Sequence, residues 1–166
     1  PMSVYEANAP KCDPRLFDLG VPVLAICYGM QLVCEALGGE VLPSKDREFG
    51  RAECRVVAAD EPLFHDVPES ITVWMSHGDQ VRDAGGAFIP LAATSTCPVA
   101  AVRHRDRPIY GLQFHPEVGH TPYGSLILGN FLDRVCKSPK NWTMGAFIDR
   151  AIEAISTQVG PTGRVV

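Results

Sequence analysis

The sharpest change of hydrophobic period in the chain falls at Cys27. The residues from Pro22 to Ile26 are apolar without a break, as in a short strand covered on both faces of a parallel sheet. From Tyr28 to Leu37 the apolar positions follow a helical period, and Gly38-Gly39 stops that run as a glycine cap does. Cys27 stands at the junction, with the small residues Ala25 and Gly29 two positions to either side. That spacing suits a tight strand-to-helix turn that lifts one side chain above a sheet.

The rest of the pattern predicts an α/β protein. Residues 1–11 are loop, and Asp13-Pro14 starts a short helix, a capping carboxylate followed by proline at the first helical position. After the helix that follows Cys27, residues 40–42 read as a brief strand and residues 43–48 as a charged loop. Residues 49–58 alternate as a strand with Arg51, Glu53 and Arg55 on one face. Residues 60–70 read as a connection with one helical turn, residues 71–75 as a strand and Ser76-His-Gly-Asp79 as a polar loop. Strands follow at 91–94, 99–104 and 109–114. A helix over 121–136 carries Leu126, Ile127, Phe131 and Val135 as its apolar stripe. After a linker at 138–141, a last helix from Met144 to Gln158 carries Phe147, Ile148, Ile152 and Ile155. The order predicts a mixed sheet with an antiparallel portion. The strand before Cys27 lacks a parallel neighbour on one side, since nothing before Asp13 reads as a strand.

Composition narrows the class. With 46% hydrophobic and 20% charged residues among 166, the chain holds about one domain. A net charge of −4 without a basic cluster argues against nucleic acid. No apolar run is long enough for a membrane span. Six cysteines without a Cys-x-x-Cys pair argue against a zinc site or a disulfide framework, so no metal is expected and the compartment reads as reducing cytoplasm. The chain opens on Pro1 and closes on Gly163-Arg-Val-Val166, the beginning of a strand, which reads as a segment of a longer protein.

Gln113-Phe-His115-Pro-Glu117 supplies the second half of a candidate site. In extended chain His115 and Glu117 point to the same side, and Pro116 fixes the bend. A cysteine nucleophile needs an imidazole to take its proton, and the imidazole needs an acceptor to hold its tautomer. Cys27, His115 and Glu117 offer all three parts. The start of a helix after Cys27 is expected to lower the thiol pKa and favour the thiolate.

Cys27-Tyr-Gly-Met-Gln31 together with His115-Pro-Glu117 resembles the class I (triad) glutamine amidotransferases, more closely the amidotransferase domains of glutamine-hydrolysing GMP synthases. Ser3-Val-Tyr5, Arg47-Glu-Phe-Gly50, Met75-Ser-His-Gly-Asp79, His120-Thr-Pro-Tyr-Gly124 and Asn130-Phe-Leu132 extend the likeness over nearly the whole chain. The resemblance implies the class I amidotransferase fold over residues 1–137, with a mostly parallel sheet. Residues 138–166 become a linker and the start of an ATP pyrophosphatase (synthetase) domain. It implies Cys27 as nucleophile, His115 as base and then acid, and Glu117 as its orienting partner. Tyr28 is implied as an oxyanion donor through its N–H, and Gln31, Ser76, His77 and Asp79 as contacts for glutamine, Asp79 for the α-ammonium. The Arg47-Glu48 region resembles the surface that faces the synthetase domain. A strand and a Ser-Gly-Gly-Pro loop precede Pro1 in that family and bring a second oxyanion N–H. Glutamine is the implied substrate, and no cofactor is expected in this segment. ATP, Mg and XMP belong to the synthetase domain, in an enzyme that is a homodimer.

Other readings remain open at this stage. The same triad module could serve anthranilate or CTP synthesis, or the fold could persist as a catalytically silent interaction module. A redox-sensing Cys27 is a third reading, with Cys34, two turns along the helix, as the nearest thiol.

Overall fold

The computed structural model describes residues 3–140, 143–161 and 163–164. The expectations for Pro1, for Asn141 at the end of the linker and for Val165-Val166 lie outside the described residues. Six strands, β1 (Val23–Ile26), β2 (Glu40–Val56), β3 (Ser70–Asp83), β4 (Phe88–Ala93), β5 (Ala101–His104) and β6 (Ile109–Leu112), form one sheet. Their order is β1-β6-β5-β4-β2-β3. Among the described residues β1 is therefore an edge strand, paired with β6 alone.

Helix α1 (Tyr28–Ala36) and helix α2 (Gly124–Asn130) cover the sheet through two separate clusters. Met30, Val33 and Cys34 of α1 pack with Val41, Val81, Phe88 and Ile109. Ile127 of α2 and Phe131 pack with Leu63, Phe64, Met75, Leu112 and Phe114. The alternation of a strand explains the division, since in β6 Ile109 joins the first cluster while Tyr110 and Leu112 join the second.

The α/β class and the mixed sheet follow the sequence reading, but the sheet is not mostly parallel. Only β1 and β6 run parallel, and the other four pairings are antiparallel. Short turns such as residues 105–108 join successive strands, and a parallel neighbour would need a crossover of a dozen or more residues. Residues 76–79 are not a loop. They lie inside β3, where Ile71, Val73, Met75, His77 and Val81 continue one buried face. A polar residue in an inward slot hid that continuity.

Residues 43–48 are likewise inside β2, but with a fault in the ladder. Pro43 pairs with Asp79 and Glu48 with His77, so residues 44–47 are accommodated opposite Gly78 alone. Such a bulge bends a strand and re-aims its side chains. The helix expected over 121–136 is shorter, α2 being followed by a π-helical turn at Phe131–Val135. Leu126 is exposed and leaves the expected stripe.

The chain divides into two compact units, Pro1–Cys136 and Lys137–Val166. The second contains α3 (Met144–Val159), capped by Thr143, whose hydroxyl accepts from the Ala146 N–H at 3.1 Å, and ended by Gly160 at φ 70°. No helix among the described residues is long and apolar enough to cross a membrane.

The segment 115–117 is held against the start of α2 by a contact that tolerates no side chain. A Cβ at Gly124 would stand 1.9 Å from the Pro116 carbonyl oxygen. Gly124→Ala is therefore expected to destabilise the fold by about 1–3 kcal/mol as overpacking does, seen as a lowered denaturant midpoint at unchanged slope.

Candidate active site

Cys27 ends β1 with φ 52° and ψ −109°. A positive φ on a side-chain-bearing residue costs on the order of 1–3 kcal/mol and persists only where its surroundings impose it. Here the Cys27 N–H donates to the Leu112 carbonyl at 2.7 Å, continuing the β1–β6 ladder by one step, while the next residue already begins α1. Ala25 and Gly29 face each other across the turn, since a Cβ on Gly29 would lie 3.6 Å from that of Ala25.

The thiol is surrounded by polar groups from three elements. Its sulfur accepts from the Gln113 side-chain amide at 3.7 Å and from the Tyr28 N–H, and its S–H donates to the Ser76 carbonyl at 3.7 Å. Burial pushes the Cys27 thiol above its ordinary pKa, and the nearby Glu117 carboxylate adds to that; the Tyr28 and Gln113 donors oppose the shift without reversing it. The expected thiolate is thus corrected to a resting thiol. The helix terminus is present, but desolvation of the charged form outweighs it. Cys34, Cys54 and Cys97 are buried and pushed up to about 12.

His115 follows β6 and so emerges beside Cys27 at the same end of two parallel strands. Its Nδ1 meets Glu117 Oε1 at 2.7 Å. Thr121 anchors the backbone here: its hydroxyl donates to the His115 carbonyl at 2.7 Å and accepts from the Trp74 N–H at 3.1 Å. A neutral imidazole that donates from Nδ1 to a carboxylate leaves Nε2 free to accept a proton. The pair can therefore serve a thiol as base and return the proton as acid.

A cavity of about 330 Å³ opens at Cys27. Tyr28, Gln31, Ser76, His77 and Asp79 line it, so six of the eight residues singled out in the sequence meet there. His115 and Glu117 do not line it; they stand on the continuation of β6. Several of these side chains also bond within the protein. Gln31 is buried, and its amide hydrogens go to the Asp79 carbonyl at 2.8 Å and to Gln113 Oε1 at 3.0 Å. His77 is only 3% exposed, with both ring nitrogens engaged. Ser76 turns its backbone carbonyl to the thiol. Asp79 keeps its carboxylate in the cavity, where Ser3 and Tyr5 donate to it.

Four contributors were not assigned these positions from sequence. Gln113, Ser3 and Tyr5 lie within quoted motifs, but motif membership does not reveal which atoms they hold. Arg47, expected on a surface facing another domain, lines the cavity from within the bulge in β2. Glu48 is not a solvated loop charge: its side chain is 11% exposed and bonded to His77, Thr94 and Thr96.

Comparison with known proteins places this geometry. Curated proteins named glutamine-hydrolyzing GMP synthase match closely, one from Syntrophomonas wolfei at 49% identity over 160 residues and one from Dehalococcoides mccartyi at 48% over 166 residues. These alignments cover 96% and 100% of this chain, and the chain spans 31% of the length of each relative. Among solved structures, a protein from Thermoplasma acidophilum described as a candidate GMP synthase subunit superposes with a TM-score of 0.70 at 36% identity, covering 84% of this chain and 64% of that one. A glutamine amidotransferase from Thermotoga maritima shares the fold, with a TM-score of 0.67 at 20% identity over 83% of this chain and 75% of its own. The family model described as glutamine amidotransferase class-I matches residues 1–135, and the chain belongs to that family.

Proposed function

We propose that this chain hydrolyses glutamine through a thioester on Cys27 and delivers the ammonia to a synthetase domain that aminates XMP to GMP. The observation that carries the reading is the strained Cys27 turn, which presents its thiol to a 330 Å³ cavity beside the His115–Glu117 pair. The relatives' name supports glutamine hydrolysis and GMP synthesis; XMP as acceptor, with ATP and Mg at the synthetase domain, rests on the family resemblance. The second unit is read as the linker and the start of that domain, in a homodimeric cytoplasmic enzyme.

In the first step Cys27 Sγ attacks the side-chain amide carbon of glutamine as His115 takes the thiol proton. Charge develops on the amide oxygen, and the Tyr28 N–H, which already points at the sulfur, is placed to stabilise it. The C–N bond breaks as His115 returns the proton to the departing ammonia. Water, deprotonated by His115, then cleaves the thioester and releases glutamate. A resting thiol suits this sequence, because the proton leaves only when a substrate is there to be attacked. Asp79 is the contact for the α-ammonium, and Gln31 has only its Oε1 left for glutamine. The redox reading loses support from Cys34, a buried thiol pushed up to about 12 on a helix face turned to the core.

A glutamine-analogue alkylator is expected to label Cys27, with peptide mapping as the check; label on Cys12 or Cys136 with Cys27 free would refute the nucleophile. In the full-length enzyme His115→Ala should lower glutamine-dependent synthesis by about 10³-fold or more while synthesis from added ammonia persists. Loss of both would make His115 structural. Glu117→Gln should separate two quantities that usually move together. It removes a negative charge that raises the Cys27 pKa, so small neutral alkylators should react faster with Cys27 near pH 8, while glutamine turnover falls because His115 loses its orienting acceptor. Stopped-flow alkylation and glutamate release measure the pair.

A further inference from the structure

Behind the cavity, a continuous line of hydrogen bonds runs from the turn between β4 and β5 to the Cys27 thiol. Thr94 Oγ1 accepts from the N–H groups of Thr96 and Cys97, so its own hydrogen goes to Glu48 Oε1, 2.8 Å away. Thr96 donates to the same oxygen. Glu48 Oε2 meets His77 Nε2 at 3.0 Å. His77 Nδ1 meets the Asp79 carbonyl at 2.9 Å. The same carbonyl accepts from Gln31 Nε2, whose other hydrogen goes to Gln113 Oε1, and Gln113 Nε2 points at Cys27 Sγ.

Donor accounting leaves little freedom along this line. The Asp79 carbonyl can only accept, so His77 Nδ1 carries a hydrogen. Glu48 Oε1 already accepts two hydroxyl hydrogens, an environment that suits an ionised carboxylate, and one hydrogen lies between Glu48 Oε2 and His77 Nε2. His77 is thus locked between Glu48 and the backbone of β3, at a position the sequence reads as part of a polar loop. The amide of Gln31, fixed by two acceptors, in turn fixes the orientation of Gln113.

Resting on the glutaminase reading above, we propose that Glu48 and His77 form a buried positioning pair in which the imidazole ring is doubly protonated. It holds the Asp79 carbonyl, and through Gln31 and Gln113 it holds the Cys27 thiol in its attacking position. The pair acts through Asp79, Gln31 and Gln113, since both His77 ring nitrogens are already engaged. The bulge at residues 44–47 is what lets Glu48, immediately after it, return to register opposite His77. Glu48, His77 and Cys97 also bring three potential metal-ligand atoms within 4.8 Å of one another. Against a cation there, the Cys97 thiol donates to the Val99 carbonyl at 3.4 Å, and the donor accounting is complete with protons alone.

Two measurements on the intact protein test the pair. In ¹⁵N spectra of histidine-labelled protein at neutral pH, both His77 ring nitrogens should read as protonated, and Glu48→Gln should convert the ring to a neutral tautomer. In the same variant, glutamine kcat should fall by about 10- to 100-fold with KM changed far less, the effect of a displaced reacting group. Thr96→Val, at the outer end of the line, should shift kcat in the same direction by a smaller factor and serves if Glu48→Gln unfolds. A His77 ring with one protonated nitrogen in the parent protein overturns the proposal. So does a Glu48→Gln kcat within twofold of the parent, or a stoichiometric zinc ion that Glu48→Gln removes. If the parent releases no glutamate from glutamine, the glutaminase reading fails, and the ring-nitrogen spectrum still decides the pair.

Discussion

The constraint on which the site depends is the backbone of Cys27. A parallel pairing of β1 with β6 delivers the chain to that residue in one direction, and α1 carries it away in another. The turn between them takes a positive φ at Cys27, and Ala25 and Gly29 face each other across it. The bond from the Cys27 N–H to Leu112 ties the strained residue to β6 and thereby to His115, three residues farther on. The thiol and the imidazole proposed as nucleophile and base thus both follow from one pairing of strands.

Around that fixed point the groups near the thiol pull in opposite directions. Burial and the Glu117 carboxylate favour the neutral thiol; the Tyr28 N–H and the Gln113 amide favour the anion. The balance leaves the proton on sulfur until a base removes it. Glu117 is therefore involved twice, bonded to His115 Nδ1 at 2.7 Å and adding through its charge to the upward shift that burial imposes on the thiol. The second influence is long-ranged and cannot be read from contacts alone.

Much of this is legible in the sequence. The five-residue apolar run before Cys27, the helical period after it and the His115-x-Glu117 spacing each report a local geometry, and local geometry is what periodicity encodes. The readings that fail concern residues whose environment is made by distant chain. Ser76 to Asp79 look like a loop because they are polar, yet they continue a strand whose neighbour, β2, comes from thirty residues earlier in the sequence. Glu48 looks solvated because its neighbours in sequence are charged, yet its side chain is largely covered and bonded to Thr94 and Thr96 from a distant turn. The helix start after Cys27 predicts a thiolate, whereas burial by β3 and the segment after β6 decides the state of the thiol. For Gln31 and His77, position in a motif gives an address without the direction of the side chain.

The bulge in β2 has a consequence for how such a protein can diverge. Residues 44–47 leave the ladder after Pro43 and rejoin it at Glu48, so the register on either side is held independently of what lies between. Added or deleted residues there would change the rim of the cavity, where Ser44 and Arg47 stand, at a loop-length cost of only a few tenths of a kcal/mol per residue, of order RT ln n. The pairing of β1 with β6 that fixes the Cys27 backbone does not involve β2. Selection can therefore rework the entrance of this pocket, and whatever is presented there, without reopening the problem of holding a strained cysteine in place.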